Sequence, residues 1–167
     1  MNNLNENQVR KDIDNKLDNH FSEFWSKMIT FNVLRSQKIS VELRTPQEAL
    51  ICQVIAWHHY LLSIDEANNK DGTFDNALKL WSDYSVKKKS NKKLSISLIS
   101  DLTNIPFETT RRKINKLVKI KWINFSKLNG VTLTPNSKLN NKIVTKIHPY
   151  EKKLLKEFLV AFIMSGD

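Results

Sequence analysis

The hydrophobic pattern divides the chain into helices with one short β interruption. Val9, Ile13, Leu17, Phe21, Trp25 and Met28 recur at spacings of three and four, and Phe24 and Ile29 widen the stripe, so residues 8–36 read as a long amphipathic helix. A helix of that length in a chain of this size needs an apolar partner beyond its own domain. Thr45-Pro46-Gln47-Glu48 is a helix start: Thr45 caps, Pro46 suits the first position and Glu48 completes a capping box. The helix that follows, to about Ile64, carries Leu50, Ile51, Val54, Ile55, Trp57, Tyr60 and Leu61 on nearly every side, the pattern of a central, buried helix. Residues 73–85 give a further helix, with Phe74, Ala77, Leu78, Trp81 and Tyr84 turned inward. The tail, residues 136–165, returns to helical spacing through Leu154, Leu155, Phe158, Leu159, Phe162 and Ile163, with a break expected at His148-Pro149.

The densest pattern lies between Leu94 and Pro135. An extended piece, Leu94-Ser95-Ile96, precedes a short helix from about Ser97 to Thr103 whose Leu98, Ile99 and Leu102 face inward. Asn104 falls where a left-handed residue is wanted, a conformation Asn tolerates. Ile105 anchors the turn and Pro106 opens a helix to about Ile120. Thr110, Ile114 and Leu117 share one face of it, while Glu108, Arg112, Asn115, Lys116 and Lys119 share the other, flanked by Thr109 and Arg111. Two alternating segments follow, Trp122-Ile123-Asn124-Phe125 and Val131-Thr132-Leu133-Thr134, with Asn129-Gly130 between them. Placing Ile123, Phe125, Val131 and Leu133 on one face excludes a two-residue turn; it predicts Lys127 opposite Val131 and a left-handed Gly130.

Charge sharpens the picture. Residues 1–85 hold 9 Lys/Arg against 12 Asp/Glu, and residues 86–167 hold 18 against 5. The whole excess of the +10 chain therefore sits with the helix–turn–helix–hairpin segment, which suggests a polyanionic partner for that half. The run Lys87-Lys88-Lys89-Ser90-Asn91-Lys92-Lys93 just upstream adds phosphate-seeking charge. Lys92, Lys93 and, at the hairpin tip, Lys127 and Asn129 are candidates for backbone or minor-groove contacts. Phe107, Glu108, Thr109, Arg111, Arg112, Asn115 and Lys116 are the candidates for the major groove. Phe107 suits either a thymine methyl or a staple at the helix start.

The segment SISLISDLTNIPFETTRRKINKLVKIKWI, Ser95 to Ile123, resembles the helix-turn-helix core of bacterial winged-helix regulators. Asn104, Ile105-Pro106, Thr109, Arg112 and Leu117 stand at the turn, apolar-Pro step and recognition-helix positions. The hairpin and Val131 to Lys138 resemble the wing and exit helix of the multiple-antibiotic-resistance (MarR) family. That resemblance implies a homodimer joined through terminal helices and a small apolar effector, for which a pocket among the aromatic-rich helices of Trp25, Trp57 and Trp81 is one expectation and plain core the other. Two departures are visible: Lys121 stands where many such domains have Gly, implying a different turn into the wing, and the wing is short.

The expected fold class is thus mainly α: a winged helix-turn-helix with a small hairpin wing and long terminal helices. Residues 1–72 and 136–167 are expected to dimerise, and residues 73–135 to bind DNA. The expected function is sequence-specific binding of double-stranded DNA by a transcriptional regulator, with residues 106–120 as recognition helix; the alternative is a winged-helix module that docks an acidic protein. No nucleophile–base set, Gly-rich phosphate loop or metal-ligand spacing is present in the sequence, so neither an enzyme, a cofactor nor a metal is expected. The adjacent His58 and His59 lie about 100° apart on a helix and read as core or interface residues. Cys52, the one cysteine, reads as a buried inert thiol in a reduced cytoplasm. Neither a signal peptide nor a membrane span is expected, since Ala49 to Ile64 is broken by Gln53, His58 and His59.

Overall fold

A computed structural model describes residues 5–67, 73–83 and 93–164. The chain is mainly helical with one small antiparallel hairpin. The elements run α1 (Glu6–Glu42), α2 (Pro46–Ala67), α3 (Phe74–Asp83), α4 (Ile96–Thr103), α5 (Phe107–Lys119), β1 (Ile123–Ser126), β2 (Gly130–Leu133), α6 (Lys138–Lys142), a π-helical turn (Ile143–Ile147) and α7 (His148–Met164). Among the described residues no helix is long and apolar enough to cross a membrane. The expected break at His148-Pro149 is expressed as that π turn. Pro149 has no N–H for the regular ladder, and a wider turn accommodates the mismatch.

Two compact units emerge, residues 1–38 with 148–167, and residues 39–147. In the second unit α2 packs on α3, α4, α5 and β2 and so shares their core. The first unit pairs α1 with α7 in antiparallel fashion. Phe24 meets Phe162 at 4.9 Å between ring centroids and Phe31 meets Phe158 at 6.4 Å. Arg35 Nε donates to Glu151 Oε1 at 2.7 Å, and Lys16 Nζ caps the end of α7 through the Ile163 carbonyl at 2.9 Å. His20 leaves helical geometry (φ −127°) and kinks α1. Within the chain only part of the predicted stripe is covered. Phe24 is buried, whereas Ile13, Leu17, Phe21, Trp25, Ile29 and Val33 form an exposed row at four-residue spacing. On α7, Leu155, Leu159 and Ile163 repeat the same behaviour.

In the second unit, Ile51, Cys52 and Ile55 of α2, Trp81 of α3, Ile99 of α4, Ile114 and Leu117 of α5 and Ile123, Val131 and Leu133 of the hairpin close one core. The expectation of an α2 buried all round is not met: Leu50, Trp57, Tyr60 and Leu61 are exposed, because its neighbours cover one side only. Cys52 is buried, and burial, with the Glu48 carboxylate second, pushes its thiol up to about 12. His59 is also buried, edge-on to the Trp81 ring, with Nε2 3.0 Å from the Trp81 carbonyl, which fixes Nε2 as the protonated nitrogen. Trp81 Nε1 in turn donates to Asn140 Oδ1, so α2, α3 and α6 share one buried polar chain. The buried acid Glu42, at the end of α1, takes Lys142 Nζ at 3.1 Å and Lys146 Nζ at 3.8 Å.

The hairpin pairs Ile123 with Leu133, Asn124 with Thr132, Phe125 with Val131 and Ser126 with Gly130. The face shared by the apolar residues is as expected, and Gly130 is left-handed (φ +70°). The register differs by two: Phe125, not Lys127, opposes Val131, and Lys127, Leu128 and Asn129 form the loop. Leu94 supplies the missing constraint. It bridges Gly130 in parallel, and its carbonyl accepts the Val131 N–H at 2.8 Å.

Candidate nucleic-acid interface

The turn between α4 and α5 is fixed from both sides. Ser95 Oγ caps α4 by accepting the Leu98 N–H at 3.0 Å. Asn104 ends the helix in the left-handed region (φ 52°, ψ 31°). Ile105 is buried, and its carbonyl accepts Ser100 Oγ at 2.7 Å and Thr110 Oγ1 at 3.1 Å, one hydroxyl from each helix. Thr110, read from sequence as part of the apolar face, is thus a fully buried polar tie between the helices.

With Thr110, Ile114 and Leu117 buried, α5 turns its other face outward. Glu108, Thr109, Arg111, Arg112, Asn115 and Lys116 line one open hollow together with Lys119. Six of the seven groove candidates therefore meet on one surface, and Phe107, nearly half exposed, stands at the start of the same helix. Their availability differs. Arg111 is engaged with Glu108 at 2.6 Å, and Lys116 Nζ lies 3.5 Å from Glu48 Oε1. Among the described residues Arg112 makes no ion pair. Glu108 in the first turn and Lys116 and Lys119 in the last suit the helix dipole.

The exit from α5 is a Schellman turn: the Trp122 N–H donates to the Leu117 carbonyl at 3.0 Å and the Lys121 N–H to the Val118 carbonyl at 2.9 Å. Lys121 itself takes the left-handed position (φ 58°). The expectation of a different turn at Lys121 is therefore corrected; a lysine adopts the geometry glycine usually supplies.

At the hairpin, Lys127 and Leu128 make the exposed tip, whereas Asn129 is half-buried and its N–H donates to Ser126 Oγ at 3.0 Å. Lys93 is exposed immediately before the Leu94 bridge; Lys92 and the rest of the run from Lys87 lie outside the described residues. Of the three tryptophans, Trp81 is core and Trp57 is 55% exposed in the second unit, and Trp25 belongs to the α1–α7 pair of the first. No cluster of potential metal ligands occurs among the described residues.

Sequence reasoning missed the groups behind α5. Glu48 was assigned a capping role, and only the Thr45 half of that box forms, with the Glu48 N–H 3.3 Å from Thr45 Oγ1. The Glu48 carboxylate instead points inward, 1% exposed, between Arg44 and Lys116. Comparison of the chain with protein-family models, curated proteins and solved structures finds no match.

Proposed function

We propose that the chain is a sequence-specific, double-stranded-DNA-binding transcriptional regulator of winged helix-turn-helix type, acting as a homodimer in the cytoplasm and binding rather than catalysing. The observation that carries this reading is α5. Its apolar side and Thr110 fix it to the body, while Thr109, Arg112 and Asn115 stand outward together on one open face. Arg and Asn are the residues that read guanine and adenine edges bidentately in a major groove. α4, the Asn104 turn, α5 and the hairpin follow in winged-helix order, with the hairpin as wing and Lys127 at its tip. The strong positive balance of residues 86–167 supplies the non-specific attraction such a reader needs. The dimer is supported by α1 and α7, which carry two exposed apolar rows and, on α7, no buried residue at all. A second helix pair covering those rows gives a four-helix arrangement.

Duplexes selected from a random pool, titrated at fixed salt, test the reading. Arg112→Ala is expected to weaken the selected site by about 1–3 kcal/mol and relax specificity at one position. Equal binding of native and variant to selected and scrambled duplexes overturns the role of α5. Negligible duplex affinity at low salt favours docking of an acidic protein instead. Light scattering after size exclusion is expected to give twice the chain mass, and a monomer at micromolar concentration refutes the dimer.

A further inference from the structure

The Glu48 carboxylate sits beneath α5 with two cations and, among the described residues, no hydrogen bond. Its Oε1 is 3.5 Å from Lys116 Nζ and its Oε2 is 3.2 Å from Arg44 Nε. Both approaches have ion-pair distance, yet neither oxygen receives a hydrogen bond of acceptable geometry among the described residues. A carboxylate 1% exposed and lacking donors is tolerated only while nearby positive charge compensates it. Arg44 is held at this place by a left-handed backbone (φ 68°) in the turn between α1 and α2. Lys116 comes from one turn beyond Arg112 on α5, and its side chain remains 55% exposed. The ammonium therefore lies at the border between the buried acid and the outward face, where either the carboxylate or an external anion can hold it.

We infer that Glu48 is a positioning residue for DNA recognition: it draws Lys116 back onto the body, withholds it from the phosphates, and leaves discrimination to Arg112 and Asn115. This rests on the DNA-binding reading above. A lysine free to follow any phosphate adds affinity for every sequence equally. A lysine anchored from behind adds none, and it also restrains the roll of α5 about its own axis.

Replacing the acid by its neutral isostere releases the lysine, so Glu48→Gln should gain one phosphate contact. The logarithm of duplex affinity against the logarithm of salt should steepen by about 0.9, which is roughly a further three- to fourfold loss between 50 and 200 mM salt. Affinity for scrambled duplex at low salt should rise, and the ratio of selected to scrambled binding should fall. In the Lys116→Gln background the same replacement should leave the salt slope where Lys116→Gln alone puts it. Far-UV circular dichroism confirms that the compared proteins are folded. If Glu48→Gln does not fold, Glu48→Asp withdraws the carboxylate by one methylene, keeps a charge for Arg44, and should give the same sign at smaller amplitude. A native salt slope in the folded variant, or a steepening that persists without Lys116, overturns the inference while the DNA-binding reading stands. Absence of salt-dependent duplex binding by the native chain overturns both.

Discussion

Gly130→Ala tests the geometry that joins the hairpin to the body. A Cβ built on Gly130 would lie 2.4 Å from the Leu94 carbonyl oxygen and 3.0 Å from its carbon, with φ at +70°. Two costs follow. The left-handed conformation disfavours an L side chain by about 1–2 kcal/mol. The clash falls on backbone, so Leu94 must move away from the very carbonyl that accepts the Val131 N–H at 2.8 Å. Losing that bond costs a further 0.5–1.5 kcal/mol or so, and together the loss should be about 2–4 kcal/mol. Urea unfolding followed by circular dichroism should show a lower midpoint at unchanged slope. For a chain of this length the melting temperature should fall by about 5–15 °C. Gly130→Asn separates the two costs, since Asn tolerates the backbone angle but not the collision. It should keep the clash part of the loss, about 0.5–1.5 kcal/mol, and so lose roughly half as much as Ala. A loss below about 1 kcal/mol for Ala, or full tolerance of Asn, would refute the argument that Leu94 sets this corner.

Three further outcomes follow from titratable groups. The Cys52 thiol, buried and pushed up to about 12, should resist a thiol-specific reagent at pH 8 in the native protein and react fully in denaturant; fast native labelling would contradict the burial. Burial, with a smaller contribution from neighbouring His58, holds His59 below its ordinary 6.5, against the opposing hydrogen bond to Trp81. The unfolded chain therefore takes up this proton first, and stability should decline as pH falls below about 6.5. For Glu151 burial acts upward, but His148 and Arg35 outweigh it and the net shift is downward from 4.5. Its contribution is present above that value and should disappear only as pH falls further through its lowered native value. Unfolding measured from pH 8 to 4 should show the first decline, flattened in His59→Gln; a flat native profile above pH 5 would count against the His59 assignment.

The order and kind of elements were legible because periodicity reports which side of an element is apolar. Asn104, Pro106 and the inward trio of Thr110, Ile114 and Leu117 stand where their local chemistry indicates. What escaped was set by partners distant in sequence. A two-residue slip of the hairpin leaves every side chain on its own face, so alternation cannot choose between Lys127 and Phe125 as partner of Val131; the Leu94 bridge chooses. Glu48 satisfies a capping-box spacing, yet Lys116, 68 positions along, competes for its carboxylate. α2 shows an apolar surface all round without saying which part its neighbours reach. On α1 the covered residues, Phe24 among them, and the exposed row from Ile13 to Val33 are interleaved at helical spacing, so one broad stripe in the sequence stands for two different faces.

The corners of the fold carry a consequence for its tolerance to change. Arg44, Asn104, Lys121 and Asn136 all hold positive φ, and among the described residues Gly130 is the one glycine that does. Asn suits this region, but the Lys121 side chain gains nothing there that glycine would not provide with less backbone strain. Lys121 is thus a site where the topology permits more stability than the chain possesses, whereas Arg44 is tied to Glu48. An engineer seeking a hardier protein would begin at Lys121 and leave the core alone. Lys121→Gly should stabilise the fold by relieving left-handed strain while removing a charge beside the hairpin, whereas altering Arg44 disturbs the partner of a buried acid. The two corners, alike in backbone, would answer the same substitution in opposite ways.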